Sequence, residues 1–150
     1  MWPFSKKKFP PLESLPVEDV WSVAQGQKEG KPMIVRRNTS AKKYARHPEL
    51  SYRLGVAIPL RAPDERGYPN KEEFKELDAI EDRLCAALSP AGRLVLVITV
   101  GGMKEFVSYV HSAEAAKQAI EKLQRATKSH DVQYYLAHDP KWLVYAELAF

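Results

Sequence analysis

The clearest periodic signal lies over residues 52–60, where Tyr52, Leu54, Val56, Ile58 and Leu60 alternate with Arg53, Gly55, Ala57 and Pro59. Alternation of period two predicts a strand with one buried face. Residues 61–69 are loop by composition. Asn70 then stands as a helix N-cap with Glu73 three places on, and Glu72 and Glu73 complement the helix dipole. Phe74, Leu77, Ile80, Leu84 and Leu88 recur at helical spacing, which predicts a helix over 71–88, stopped by Ser89-Pro90-Ala91-Gly92. Residues 93–100 and 104–110 are strand-like, joined by Gly101-Gly102 as a two-residue hairpin turn. Ser112 caps a second helix over 113–125. Val132, Tyr134 and Leu136 mark a strand over 131–138, Asp139-Pro140 breaks it, and 142–150 reads as a final strand. Upstream, 20–24 and 33–37 are short extended segments around a gap with two glycines and a proline, which suits a hairpin; 38–51 is irregular and basic.

From Tyr52 onward the order is β-α-β-β-α-β. Right-handed crossovers make the simplest topology an α+β, ferredoxin-like two-layer sandwich, with both helices on one sheet face. The N-terminal hairpin and an extra C-terminal strand would extend or cap that sheet. Residues 16–150 are expected to form one domain. Residues 1–15 mix Trp2, Phe4 and Phe9 with Lys6-Lys7-Lys8 and several prolines, offer no periodic buried face, and are expected to be a flexible tail.

Composition excludes several classes. With 150 residues, 45% hydrophobic and 28% charged, the chain is an ordinary globular sequence. Its longest strictly apolar run, 94–98, falls far short of the ~20 residues that span a bilayer. A single cysteine, Cys85, excludes an intrachain disulfide framework and a cysteine zinc cluster. The first residues lack the order of a signal peptide, so a cytoplasmic location is the default, and a short aromatic-lysine segment holds a membrane surface only weakly. Residues 1–53 carry 11 Lys and Arg against 5 Asp and Glu, whereas the remainder carries 12 against 14. The positive charge therefore belongs to the front third, which suits either solubility or an anionic partner.

Pro63-Asp64, the run from Gly67-Tyr68-Pro69-Asn70 through Glu73-Phe74 to Leu84, the segment Gly102-Met103-Lys104-Glu105-Phe106, and Asp139-Pro140-Lys141-Trp142 together resemble the bacterial domain of unknown function 695. The resemblance covers about 18–150 and implies no activity, since the family has none assigned. A looser likeness in architecture links the chain to small protein regulators of ribonuclease E, by analogy of fold alone.

Chemistry-bearing motifs are sparse. His47, His111, His130 and His138 lack metal-ligand spacing, so no metal is expected. Phosphate-cradling glycine loops and a nucleophile elbow are absent, so no cofactor is expected, and Cys85 sits mid-helix beside the apolar stripe, where a buried thiol is inert. The densest positive patch joins Arg36, Arg37, Lys42, Lys43, Arg46 and His47 with Tyr44, and Arg53 follows; such a segment could grip phosphates. The Gly101-Gly102 turn sets Phe106 opposite Val97 and Lys104 opposite Thr99, on the face expected to lie open, where an RNA-binding sheet presents stacking rings. One ring among small residues is a poor platform, so Phe106 is expected to pack under the terminal strands or a dimer partner. Glu81 falls, at ~3.6 residues per turn, between Leu88 and Phe74 within the apolar stripe. A carboxylate there needs a hydrogen bond or a cation, with Tyr52, Tyr134 or an arginine of the basic segment as candidates. The reading is a non-catalytic binding or regulatory module acting through a protein partner or as a homodimer. Nucleic acid through 36–53 and the open sheet face is the alternative, followed by a small-molecule enzyme with a carboxylate–arginine pocket.

Overall fold

The computed structural model describes residues 9–15 and 19–149. Six strands, β1 (Trp21–Lys28), β2 (Lys31–Asn38), β3 (Tyr52–Pro59), β4 (Gly92–Val100), β5 (Met103–Val110) and β6 (Gln133–His138), make one sheet in the order β1-β2-β4-β5-β3-β6. Every neighbouring pair is antiparallel. The protein is thus a mixed α+β fold whose sheet is larger than the expected four-strand core, because the N-terminal hairpin β1–β2 continues it beyond β4. Helices α1 (Lys71–Leu88) and α2 (Ala113–Ala126) follow the predicted spans, each capped as its sequence requires: Asn70 accepts from the Glu73 N–H and Ser112 from the Ala115 N–H.

Leu77, Ile80, Leu84 and Leu88 of α1 and Ala116, Ile120 and Leu123 of α2 pack with Leu54, Val56, Ile58, Val97 and Phe106 in a single core. Both helices therefore share one sheet face. The opposite face, expected to lie open, carries a second core of Val35, Val95, Leu96, Val107 and Tyr109 beneath Tyr44, Leu50, Trp142 and Tyr145. A register shift between Leu94 and Leu96 lets β4 feed both cores: Leu94 and Val97 pack on the helix side, Val95 and Leu96 on the other.

Three expectations need correction. Phe106 pairs directly with Val56, and paired residues share a face, so it lies at 0% exposure under the helices. The segment 142–150, expected as a final strand, forms a short helix, α3 (Leu143–Glu147). Its cause is Asp139, whose carboxylate accepts from the Leu143 N–H, while Trp142 turns left-handed at φ 54° to bury its ring. Residues 1–8 of the expected tail lie outside the described residues, but within 9–15 Leu12 and Leu15 are buried in the second core, and Pro10 receives a hydrogen bond from His47. Their spacing gave no periodic face because a 3-10 turn, Leu12–Ser14, brings both inward.

Candidate functional site

The helices cover β4, β5, β3 and β6, but the sheet runs on past them into β2 and β1. On the helix side two rows of paired residues cross this boundary: Val23, Arg36, Val97, Phe106 and Val56 in one, Ile34, Thr99, Lys104 and Ile58 in the other. Where the rows leave the helices a pocket of about 270 Å³ opens. Val97, Thr99 and Lys104 form its floor, Ile34 and Arg36 of β2 one wall, and Phe74 of α1 with Tyr68 and Pro69 the other; Arg66 stands at the rim. An apolar basin with a few converging polar groups is the usual form of a small-ligand site.

The charged groups here are all cations, Arg36, Arg66 and Lys104, beside the hydroxyls of Thr99 and Tyr68. Lys104 is 3% exposed, and among the described residues no carboxylate, carbonyl or hydroxyl accepts from its ammonium. Its partners are rings, Phe74 at 4.8 Å and Phe106 at 5.7 Å. Burial pushes the Lys104 pKa down and nearby Arg36 pushes the same way, against weaker opposition from Glu81 and Asp78. Arg36 is braced: it lies over the Trp21 ring at 4.9 Å and forks onto both oxygens of Glu81 at 2.8 and 3.2 Å. The partner expected for Glu81 on helical phase is therefore an arginine of the basic segment, although Glu81 is half-buried and not sealed in the core.

The rim owes its shape to the 60–70 loop. Asp64 accepts from the Arg66 and Tyr68 N–H groups and pairs with the Arg66 guanidinium at 3.1 Å; the Tyr68 N–H first, then the Arg66 donors, hold the Asp64 pKa below its ordinary value against the effect of desolvation. Gly67, at φ +86°, lies so close to the β4–β5 turn that an added Cβ would sit 2.8 Å from the Gly102 nitrogen. Its carbonyl accepts from that N–H, and the Gly102 carbonyl accepts from Leu60. Beneath, buried Glu73 accepts from the Arg61 N–H at 2.6 Å, the Ala62 N–H at 3.3 Å and His130 Nε2 at 2.7 Å. Burial alone would raise its pKa; these donors bring it below the ordinary carboxylate value. The carboxylate can only accept, so the His130 proton lies on Nε2.

The remaining candidates scatter. Arg37 is buried on the opposite face, its guanidinium 3.9 Å from the Tyr145 ring centre. Tyr44 and His47 are buried there too, and burial raises the Tyr44 pKa to about 12. Arg53 pairs at 2.8 Å with buried Asp139, which also accepts from the Tyr109 hydroxyl at 2.8 Å. Only Lys42, Lys43 and Arg46 of the patch face solvent. Phe106 is sealed in the helix-side core and offers no stacking surface. The structure thus brings Arg36, Glu81 and Lys104 together, with the buried Phe106 ring beside Lys104, and disperses the others; Arg66, Tyr68, Phe74 and Thr99 join them unforeseen. Cys85 is exposed, with desolvation and neighbouring Glu81 raising its pKa to about 11. No cluster of three metal-ligating side chains occurs among the described residues, and no described helix is long and apolar enough to cross a membrane.

Fold and pocket together define an α+β sheet protein with a cation-floored basin at the edge of its helical layer. Residues 19–149 match the model of a family of unknown function, DUF695, and the chain belongs to that family. No curated protein and no solved structure matches it.

Proposed function

We propose that the chain is a non-catalytic binding or regulatory module, and that its recognition site is the Arg36–Arg66–Lys104 pocket. The ligand is a carboxylate or phosphate carried on an apolar or aromatic body, free or presented by a partner protein. The observation that carries this is Lys104: a lysine only 3% exposed, whose ammonium has no acceptor among the described residues, is costly to keep unless an anion arrives to pair with it. Phe74, Tyr68 and Pro69 would hold the body of the ligand while Arg36, preset by Glu81, receives the charge. The β3-α1-β4-β5-α2-β6 portion reads as ferredoxin-like, a reading supported by the order β6-β3-β5-β4 within the larger sheet. A cytoplasmic location fits the composition.

A nucleic-acid stripe over 36–53 is the weaker reading, because Arg37, Tyr44 and His47 are buried and Arg53 is paired. Calorimetric titration with phenyllactate and with inorganic phosphate tests the pocket. Binding by the native chain that Lys104→Met abolishes is expected; equal binding by both would overturn the assignment. Tight retention on a polyanion column, unaffected by Lys104→Met and lost on Lys42→Ala/Lys43→Ala/Arg46→Ala, would favour the nucleic-acid reading.

A further inference from the structure

Lys104 has a second property that anion binding does not use. Its amine lines the pocket within reach of the Phe74 and Phe106 rings, and no described group accepts a hydrogen bond from it. An unpaired amine in an apolar basin beside a second cation is the setting in which a lysine becomes a nucleophile towards carbonyl carbon. Arg36 lines the same basin and can receive a carboxylate, while the aromatic wall leaves room for an apolar substituent. A ligand that presents a carboxylate and an adjacent carbonyl to these two groups is a 2-oxo acid.

We infer that the pocket takes 2-oxo carboxylates with an apolar or aromatic side chain and holds them as a reversible imine on Lys104. This rests on the pocket reading and adds a covalent step to it. The neutral ε-amine adds its lone pair to the C2 carbonyl carbon, and the carbonyl π electrons pass to oxygen, which takes a proton from the nitrogen. The nitrogen lone pair then forms the C=N bond as the hydroxyl leaves with the remaining N–H proton as water. No oxidant, reductant or metal enters, and hydrolysis reverses the link. Burial and the neighbouring Arg36 lower the Lys104 pKa, which raises the share of the neutral amine relative to surface lysines at a given pH.

The test uses phenylpyruvate, with phenyllactate as the partner that lacks the carbonyl. The full chain is incubated with each near neutral pH, treated with cyanoborohydride, and measured by intact mass and peptide mapping. The expected result is one stable adduct with phenylpyruvate, equal to the acid less water plus two hydrogens, mapped to Lys104 and absent with phenyllactate. Lys104→Arg should still bind phenyllactate and form no adduct; Lys104→Met should do neither. Adducts spread over surface lysines, or one that persists in Lys104→Arg, would overturn the inference. Binding of phenyllactate without trapping of phenylpyruvate would refute the imine and leave the anion pocket standing. Failure to bind either acid would remove both.

Discussion

Replacing Lys104 by methionine should make the protein more stable while emptying its pocket of function. The side chain is 3% exposed and its ammonium has no hydrogen-bond acceptor among the described residues, only the two phenyl rings. Methionine keeps the length and flexibility of the apolar stem and removes the unpaired charge. The ring contacts offset part of the desolvation, at up to ~2 kcal/mol for a desolvated cation. A net gain of about 1–2 kcal/mol remains, by analogy with buried charges exchanged for apolar residues. In a domain this size that is a rise in Tm of roughly 3–8 °C. The pH dependence gives a sharper check. The folded-state pKa of Lys104 lies below its unfolded value of 10.5, so between the two the unfolded chain binds more protons and native stability rises with pH. The advantage of Lys104→Met should therefore be full below the folded pKa and close as the pH approaches 10.5. Buried Tyr44 and Tyr109, both with raised pKa values, begin to weaken the fold only above their ordinary value of 10.0, at the top of this range, so the difference between variant and native is the quantity to measure. Urea denaturation followed by circular dichroism across pH 6–10, a range of roughly the width these titrations require, supplies it. A variant less stable than the native chain at neutral pH would refute the unpaired ammonium.

Three further outcomes are expected. Glu73→Ala should cost about 3 kcal/mol by stranding the Arg61 and Ala62 amides and His130; because the Glu73 pKa is lowered, its stabilisation is present above its ordinary value of 4.5 and fades as pH falls through the folded pKa, so denaturation curves of native and variant should converge in acid. A double-mutant cycle on Arg36→Ala and Glu81→Ala should show coupling of about 1 kcal/mol, for a forked but part-exposed pair, and phenyllactate affinity should fall in both single variants; zero coupling would show that Glu81 does not brace Arg36. Leu12→Ala should lower stability by about 2–3 kcal/mol in the same denaturation assay, whereas a freely moving tail would leave it unchanged.

Local signals in this chain translated well into local structure. The caps at Asn70 and Ser112, the α1 stripe from Leu77 to Leu88 and the Gly101-Gly102 turn fall where the residues place them, because each is decided by neighbours within four positions, whereas Phe74 of that stripe is left exposed. Glu81 was legible in part for the same reason: helical phase set it within the apolar stripe, in need of a polar partner, and of the candidates Tyr52, Tyr134 and an arginine the structure supplies Arg36, with Glu81 left part-exposed. The errors share a different origin. Which sheet face Phe106 occupies depends on its pairing with Val56, fifty residues away, and neither strand's own alternation reveals that register. The last segment reads as a strand, yet the buried carboxylate of Asp139 caps a helix there, and only the fold brings Arg53 and Tyr109 to keep that carboxylate in place.

The pocket itself shows where charge density misleads. The basic segment drew attention by counting cations, but folding separates them: Arg37 and Arg36 are sequence neighbours on a strand and so point to opposite faces, one into the second core and one into the basin. The informative residue was isolated. Lys104 shares its strand face with Phe106, Ser108 and Val110, all buried, and it alone of that row carries a charge. A lysine at a core position of a central strand must be accommodated by the fold or used by it. Here the sheet extends past the helices at that row, Phe74 and Arg36 flank the amine, and the 60–70 loop, locked by Glu73 and Asp64, sets the opposite rim. The segment from Gly67 to Leu84 thus serves the pocket indirectly, by fixing the loop and helix that close it around a charge supplied by β5.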